Sequence, residues 1–268
     1  MRRDRRPPAH PDPPARPRHA GSPRVRRAAL RRAALLAAVL ALLALLGAAC
    51  SSDGDRSAAI PADVDAIRAA AADAMGRVET ARFTIERGGA EVPIDDEGVL
   101  VFDRAEGRYA APASADAVVA ARAGGVATEV GAIAIDGEIW ITNPVTGRWE
   151  SAPEGLGFDP TVMFDPRRGW RPLLASGLDD AALVEQEPDA DGRYHLRGVA
   201  GAARIAVLTS GLVDQAVPID IWIDGDSGEV REASFATTGP DGTSTWRVTL
   251  SGYGDPVEVT PPETGATP

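Results

Sequence analysis

The chain has 268 residues, 44% hydrophobic and 25% charged, with 28 Gly and 22 Pro, a balance that fits one folded domain with tails and excludes a fibrous or low-complexity polymer. Its formal net charge is −11 and every basic side chain is Arg, so the surface repels phosphate backbones and nucleic acid is excluded as a partner. One Cys forbids an intrachain disulfide, and with His10 and His19 in the expected N-terminal signal, His195 and Cys50 alone cannot furnish a His/Cys zinc site.

Eleven of the 28 Arg precede residue 33, and residues 33–49 follow without a charge. A basic start and a 17-residue apolar run match the n- and h-regions of a secretory signal, and the run is at the lower limit for a membrane-spanning helix. Gly47, Ala48 and Ala49 then lead into Cys50, with Ser51, Ser52 and Asp53 behind it. This junction resembles a bacterial lipobox, although Gly47 stands where an aliphatic residue is usual and Leu46 lies one place further back. The resemblance implies removal of residues 1–49 and a thioether-linked diacylglycerol on Cys50. The alternative is an uncleaved anchor helix with an idle Cys; in both cases the remainder lies outside the cytoplasmic membrane. From Cys50 onward the chain carries 17 Arg against 37 acidic residues, a net charge near −20.

Residues 50–60, rich in Ser, Asp and Gly, form a flexible tether. Pro61 suits a first helical position, and Val64, Ile67, Ala71, Ala74 and Val78 make one stripe of a helix running to about Val78. From Arg82 the period becomes two. Phe83 and Ile85 alternate with Arg82, Thr84 and Glu86; Leu100 and Phe102 oppose Glu97 and Asp103. Further strands are expected over 116–122, 128–135, 138–142, 182–187, 193–199, 217–224, 229–237 and 243–251. The turns IDGEI, DADGR and IDGDSGEV join neighbours as hairpins, so the sheet is antiparallel and its short connections leave no room for crossover helices.

Two helical segments interrupt the strands: residues 159–177, as two short turns around Pro166, and residues 201–213, where Ile205, Leu208 and Leu212 share a face. The expected class is α+β, one antiparallel sheet covered by a few helices. If charges mark the solvent face, Ala117, Val119, Ala121, Val130, Ala132 and Ala134 point inward. Side chains this small leave volume that either an apolar ligand or the close approach of the helices must fill.

Few residues here could carry chemistry. His195 is the sole His after Cys50, sits in a strand, and has no G-x-S-x-G turn to serve, which argues for a structural role. The acidic turns at 188–193 and 224–229 resemble the start of a calcium loop but lack its closing Glu, and Asp and Gly are what a tight turn demands. Neither catalytic residues nor a metal or cofactor is implied, and with 5% aromatics there is no broad stacking platform.

At AIAIDGEIW, GWRPLLASG, VPIDIWIDGDSGEV and WRVTLSGYGDPVEVTPP, and in the order of its elements, the sequence resembles the mycobacterial LppX/LprG family of lipoproteins. The resemblance implies a signal peptide over 1–49, the tether over 50–60, a lipid-binding domain over 61–262 and a disordered tail over 263–268. It implies a strongly curved antiparallel sheet, a half-barrel, with helices on its concave side and an apolar cavity between. Such proteins hold acyl chains of triacylglycerol, glycolipid or lipoglycan and carry them across the envelope. Alternation then assigns the cavity lining to Phe83, Ile85, Leu100 and Phe102, to Val119, Ala121, Ala132 and Ala134, and to Ile219, Ile221, Ile223, Trp246, Val248 and Leu250. Arg167, Arg168 and Arg171 are the candidates for polar headgroups at the mouth. The implied partners are an acyl lipid or glycolipid, the cytoplasmic membrane through the lipid on Cys50, and a lipid-exporting permease, with the protein itself a monomer. Two rivals stand beside this reading: a structural or sensory lipoprotein with a closed core, and a secreted hydrolase, which a single His disfavours.

Overall fold

The structure, a computed structural model, describes residues 62–94, 98–152 and 159–263. The expected signal, Cys50 and the tether lie outside the described residues. Helix α1 (Val64–Met75) begins after Asp63, whose carboxylate accepts the Ala66 N–H at 3.0 Å, and ends at Gly76. It is shorter than the expected 61–78 at both ends, because Asp63 supplies the capping oxygen and Val78 falls beyond the Gly76 cap.

Eleven strands follow: β1 (Thr80–Gly89), β2 (Leu100–Ala110), β3 (Ser114–Ala123), β4 (Val126–Ile135), β5 (Glu138–Thr142), β6 (Trp149–Ser151), β7 (Leu178–Leu183), β8 (Arg193–Ala200), β9 (Val217–Asp224), β10 (Val230–Gly239) and β11 (Gly242–Ser251). They form one sheet in the order β6-β5-β4-β3-β2-β1-β11-β10-β9-β8-β7, antiparallel throughout. Two meanders are therefore joined where the first strand pairs with the last. Between β6 and β7 lie a 3-10 turn (Val162–Phe164) and helix α2 (Trp170–Ser176); helix α3 (Ala202–Leu208) separates β8 from β9. With three helices among the described residues the protein is α+β, as expected.

Three strands differ from expectation. β2 runs on to Ala110, well past Asp103, where the readable alternation stops. β7 occupies 178–183 instead of 182–187, because α2 stops at Gly177 and the chain enters the sheet at once; the three-residue β6 is too short to leave a period-two pattern. The Asp-Gly turn of IDGEI behaves as read, and a Gly-Gly turn that the sequence reading did not name joins β3 to β4. Asp136 and Gly137 have φ of 51° and 87°, and Gly124 and Gly125 have 56° and 84°, the left-handed pairs that a two-residue hairpin requires.

One face of the sheet is covered. Ile67, Ala71 and Met75 of α1, Leu173 and Leu174 of α2, and Ile205 and Leu208 of α3 are buried in the same core as Phe83, Leu196, Ile221 and Leu250 of the strands. Arg68 ties α1 to α2 by donating from Nε to the Leu174 carbonyl at 3.1 Å and from Nη2 to that of Ala175 at 3.4 Å.

A bulge at Asp103 shapes the middle of the sheet. Phe102 pairs with Ala121 but Arg104 pairs with Ala120, so Asp103 is the extra residue. Its carboxylate accepts from Arg122 at 2.8 and 2.9 Å and from Arg87 at 2.8 Å. Pairing of β1 with β2 ends at Glu86 and Arg104, and the Arg87 side chain, 4% exposed, donates to the carbonyls of Phe102, Gly89 and Ala90. The Arg122 guanidinium, assisted by Arg87 against partial desolvation, holds the Asp103 carboxyl below its ordinary pKa. A carboxyl with a depressed folded pKa stabilises the fold above its unfolded pKa of about 3.9 and loses that contribution as pH falls through the folded value. Asp103→Asn should therefore destabilise the protein at pH 7 and flatten the acid limb of its stability profile below pH ~4; urea unfolding from pH 7 to pH 2 checks it, and an unchanged acid limb would contradict it.

Candidate functional site

The residues expected to line a cavity are brought together on the covered face. Register places Phe83 opposite Leu250 and Ile85 opposite Val248 between β1 and β11. Across β2 to β4 it aligns Ala105 with Val119, Phe102 with Ala121, and Ala115 with Ala134. On the other side Phe235 lies opposite both Trp246 and Ile219, Ala233 opposite both Val248 and Ile221, and Val230 opposite Ile223. Of the fourteen assigned lining residues, thirteen are buried and Leu100 is half-buried.

Two aromatic groups bracket this face. Trp246 is stacked between Phe102 (5.7 Å) and Phe235 (5.9 Å), its indole N–H donating to Thr237 Oγ1 at 3.1 Å. Phe164, from the 3-10 turn, stacks on Tyr109 at 4.6 Å and lies 6.3 Å from Phe83. Burial, and next the charge of Asp165, pushes the Tyr109 hydroxyl above its ordinary pKa, so it stays a neutral donor. Between the groups the strands present small residues: Ala105, Ala115, Ala117, Val119, Ala121, Ala132 and Ala134, all at most 6% exposed. Gly107 belongs to this row, where a Cβ would lie 2.3 Å from the Asp116 carbonyl and 2.5 Å from the Phe83 ring.

Sequence reasoning missed Tyr109, Phe164 and Phe235. Phe235 follows the alternation of Ala233 and Thr237 and was legible. Tyr109 was hidden by the bulge: counting by twos from Phe102 puts Arg104, Glu106 and Arg108 inward, and the extra residue resets the face to Ala105, Gly107 and Tyr109. Phe164 sits in a turn and carries no periodic signal.

The opposite, open face holds the charged groups. The His195 Nε2 lies 2.6 Å from Asp220 Oδ1 and its ring stacks on Trp222 at 4.4 Å, so Trp222 packs outward beside charges while Ile219, Ile221 and Ile223 point to the core. Asp220 also accepts from Arg197 at 2.8 Å, which commits its carboxylate to structural pairing. Asp189 accepts the amides of Asp191 and Arg193, both at 2.9 Å, and is held below its ordinary pKa first by the Arg193 amide. Asp224 accepts from the Asp226 and Ser227 amides and from Arg231; burial raises its pKa, but these donors prevail and lower it. Both acidic turns are thus closed by their own backbone. Of the three arginines proposed for the mouth, Arg168 is paired with Asp165 at 2.8 Å, and Arg167 and Arg171 are exposed.

A single antiparallel sheet with one apolar face covered by helices, and no polar constellation inside it among the described residues, is an α+β layer architecture. The chain belongs to the LppX_LprAFG lipoprotein family, whose description it matches over residues 63–259. The fold is similar to that of LprF from Mycobacterium bovis, with a TM-score of 0.57 and 16% identity over 77% of this chain and 100% of that one. It is similar also to the lipoprotein LppX of Mycobacterium tuberculosis, with a TM-score of 0.50 and 18% identity over 74% of this chain and 98% of that one. No curated protein matches it by sequence. The family is one of lipid-binding lipoproteins, generally non-enzymatic, and membership implies an extracytoplasmic, membrane-anchored protein with lipid ligands.

The facing of β9 yields a direct comparison. Ile221 is fully buried, whereas Asp220 is half-buried on the open face. Ile221→Asp should cost several kcal/mol through an unpaired buried carboxylate, and Asp220→Ala much less, because it removes only partly exposed pairs. Thermal melts of the two variants decide it, and equal melting temperatures would mean that Ile221 does not serve the core.

Proposed function

We propose that this protein is an acyl-lipid carrier of the cell envelope, binding the hydrocarbon chains of triacylglycerol, glycolipid or lipoglycan against the covered face and carrying them across the space outside the cytoplasmic membrane. The observation that supports this most is the band of small residues, Ala105 to Ala134, between the Trp246 and Phe164 aromatic groups. A face of Ala and Val does not fill space by itself, and a sheet curved into a half-barrel leaves room for chains between it and the helices. Each methylene moved from water to such a site contributes about 0.8 kcal/mol, so ten of them contribute ~8 kcal/mol, enough to offset much of the cost of leaving a bilayer.

In this reading residues 1–49 are cleaved, the diacylglycerol on Cys50 anchors the protein to the outer leaflet, and residues 50–60 give the domain its reach. Headgroups stay outside the apolar compartment, near the exposed Arg167 and Arg171, and a lipid-exporting permease is the candidate protein partner. The closed-core alternative, a structural or sensory lipoprotein, draws on the burial of Val119 and its neighbours, which are at most 6% exposed as the chain stands.

Two experiments test the proposal. Cys50→Ser should abolish acylation and move the protein from the detergent phase to the aqueous phase on Triton X-114 partition, while its melting temperature stays unchanged. Equal partition of both forms would remove the anchor. Val119→Trp separates carrier from closed core: in a carrier the indole occupies acyl-chain volume, so co-purified lipid falls while stability holds. In a closed core the overpacking lowers stability by about 1–3 kcal/mol and the wild type carries no lipid. Native mass spectrometry of both proteins, with a thermal melt, reads the difference.

A further inference from the structure

Strand β4 is ten residues long, but β5 pairs only with Ala132, Ile133, Ala134 and Ile135. At Thr142 the chain turns away, and the Thr142 hydroxyl accepts the Gly131 N–H at 2.7 Å in place of a backbone carbonyl. Residues 126–130 are thus flanked by β3 on one side and, among the described residues, by no strand on the other. The β4–β5 hairpin closes on Ile135 and Glu138 and the Gly131 N–H faces Thr142, so the same alternation turns the N–H and C=O of Ala127 and Glu129 out of the sheet edge.

This edge lacks the usual protection. It reads Val-Ala-Thr-Glu-Val, β-prone, without Pro or bulge, and Val126 is 70% exposed. At the far side of the sheet, β7 is guarded by a bulge between Asp179 and Ala182 and by two exposed acids, with Asp180 at φ 50°. β6 has only three residues to offer.

Beside the β4 edge lies an open-face cleft of about 850 Å³, to which Glu129, Val118, Gly131 and Trp149 contribute. The Trp149 ring rests on Gly131, where a Cβ would come within 2.8 Å of it. Arg108 is bonded to Asp116 and Glu106 to Arg104, whereas Glu129 is in no ion pair among the described residues.

We propose that this edge docks an extended segment of a partner protein by strand addition, about five residues long and carrying Lys or Arg on the cleft side. Backbone bonds to Ala127 and Glu129 supply the register. A cation there meets the Glu129 carboxylate and the Trp149 ring, and the acidic domain favours its approach. A second copy of this chain is disfavoured, since it would bring Glu129 and a large negative charge against their own kind.

The test uses the full chain in detergent with three capped heptapeptides as calorimetric probes: alternating Lys-Val with Lys at both ends, and the same peptide N-methylated at its valines or at its lysines. Because a strand bonds its neighbour through alternate residues, one methylated form should bind like the parent and the other at least about tenfold more weakly. Ala127→Pro should lose the parent peptide with an unchanged melting temperature, because its N–H faces out of the edge and not toward β3. Should that variant misfold, Glu129→Lys covers the case: it should invert the preference toward a Glu-Val heptapeptide. Equal binding of both methylated forms, no binding by the parent, or a dimer in sedimentation that Ala127→Pro dissolves would each overturn the proposal.

Discussion

Everything on the covered face depends on the register between β1 and β11. Those strands join the β1-to-β6 meander to the β7-to-β11 meander, and they alone connect the two halves of the sheet. With Phe83 opposite Leu250 and Ile85 opposite Val248, the apolar sides of both halves face the same helices. A slip of one residue would turn Trp246, Val248 and Leu250 to solvent and set the buried side of one meander against the charged side of the other. The pairing joins residues more than 150 positions apart, so the sheet is completed only when its last strand arrives, a topology that folds slowly.

Charge in this molecule works mainly as structural glue on the open face. Arg87 and Arg122 converge on the Asp103 bulge, Arg193 closes the Asp189 turn, Arg231 the Asp224 turn, and Arg197 shares Asp220 with His195. An all-Arg basic complement suits that work, because a planar guanidinium serves two or three acceptors at once, as Arg87 does in the gap between β1 and β2. The acidic excess of the sequence is thereby spread over turns and strand flanks without gathering into a metal-binding group among the described residues.

Much of this fold was legible in the sequence, for reasons that particular residues make plain. The Ile219, Ile221, Ile223 alternation fixed the facing of β9, and the Asp-Gly turn at 136–137 fixed the hairpin of β4 and β5, because period two and positive φ are local properties. The reading failed where a local rule was overridden. Asp103 inserts a residue that no periodicity foretells and so concealed Tyr109, α1 yields its first turn to the Asp63 cap, and Phe164 reaches the sheet from a turn with no period at all. The expectation that Val119 and the alanines line a lipid cavity rested on the same alternation. Their side of the sheet was readable, but the space in front of them depends on how closely the helices approach, which no pattern within a strand encodes.

The bond between Arg68 and the end of α2 bears on how the covered face could breathe. The Leu174 and Ala175 carbonyls are the unpaired acceptors of a helix terminus, and a side chain from α1 satisfies them. Moving either helix alone strands those acceptors and the guanidinium together; moving both as one body leaves every one of these bonds intact. A rearrangement that keeps these bonds therefore carries α1 and α2 together, between their glycine ends at Gly76 and Gly177, and does not move either helix past the other.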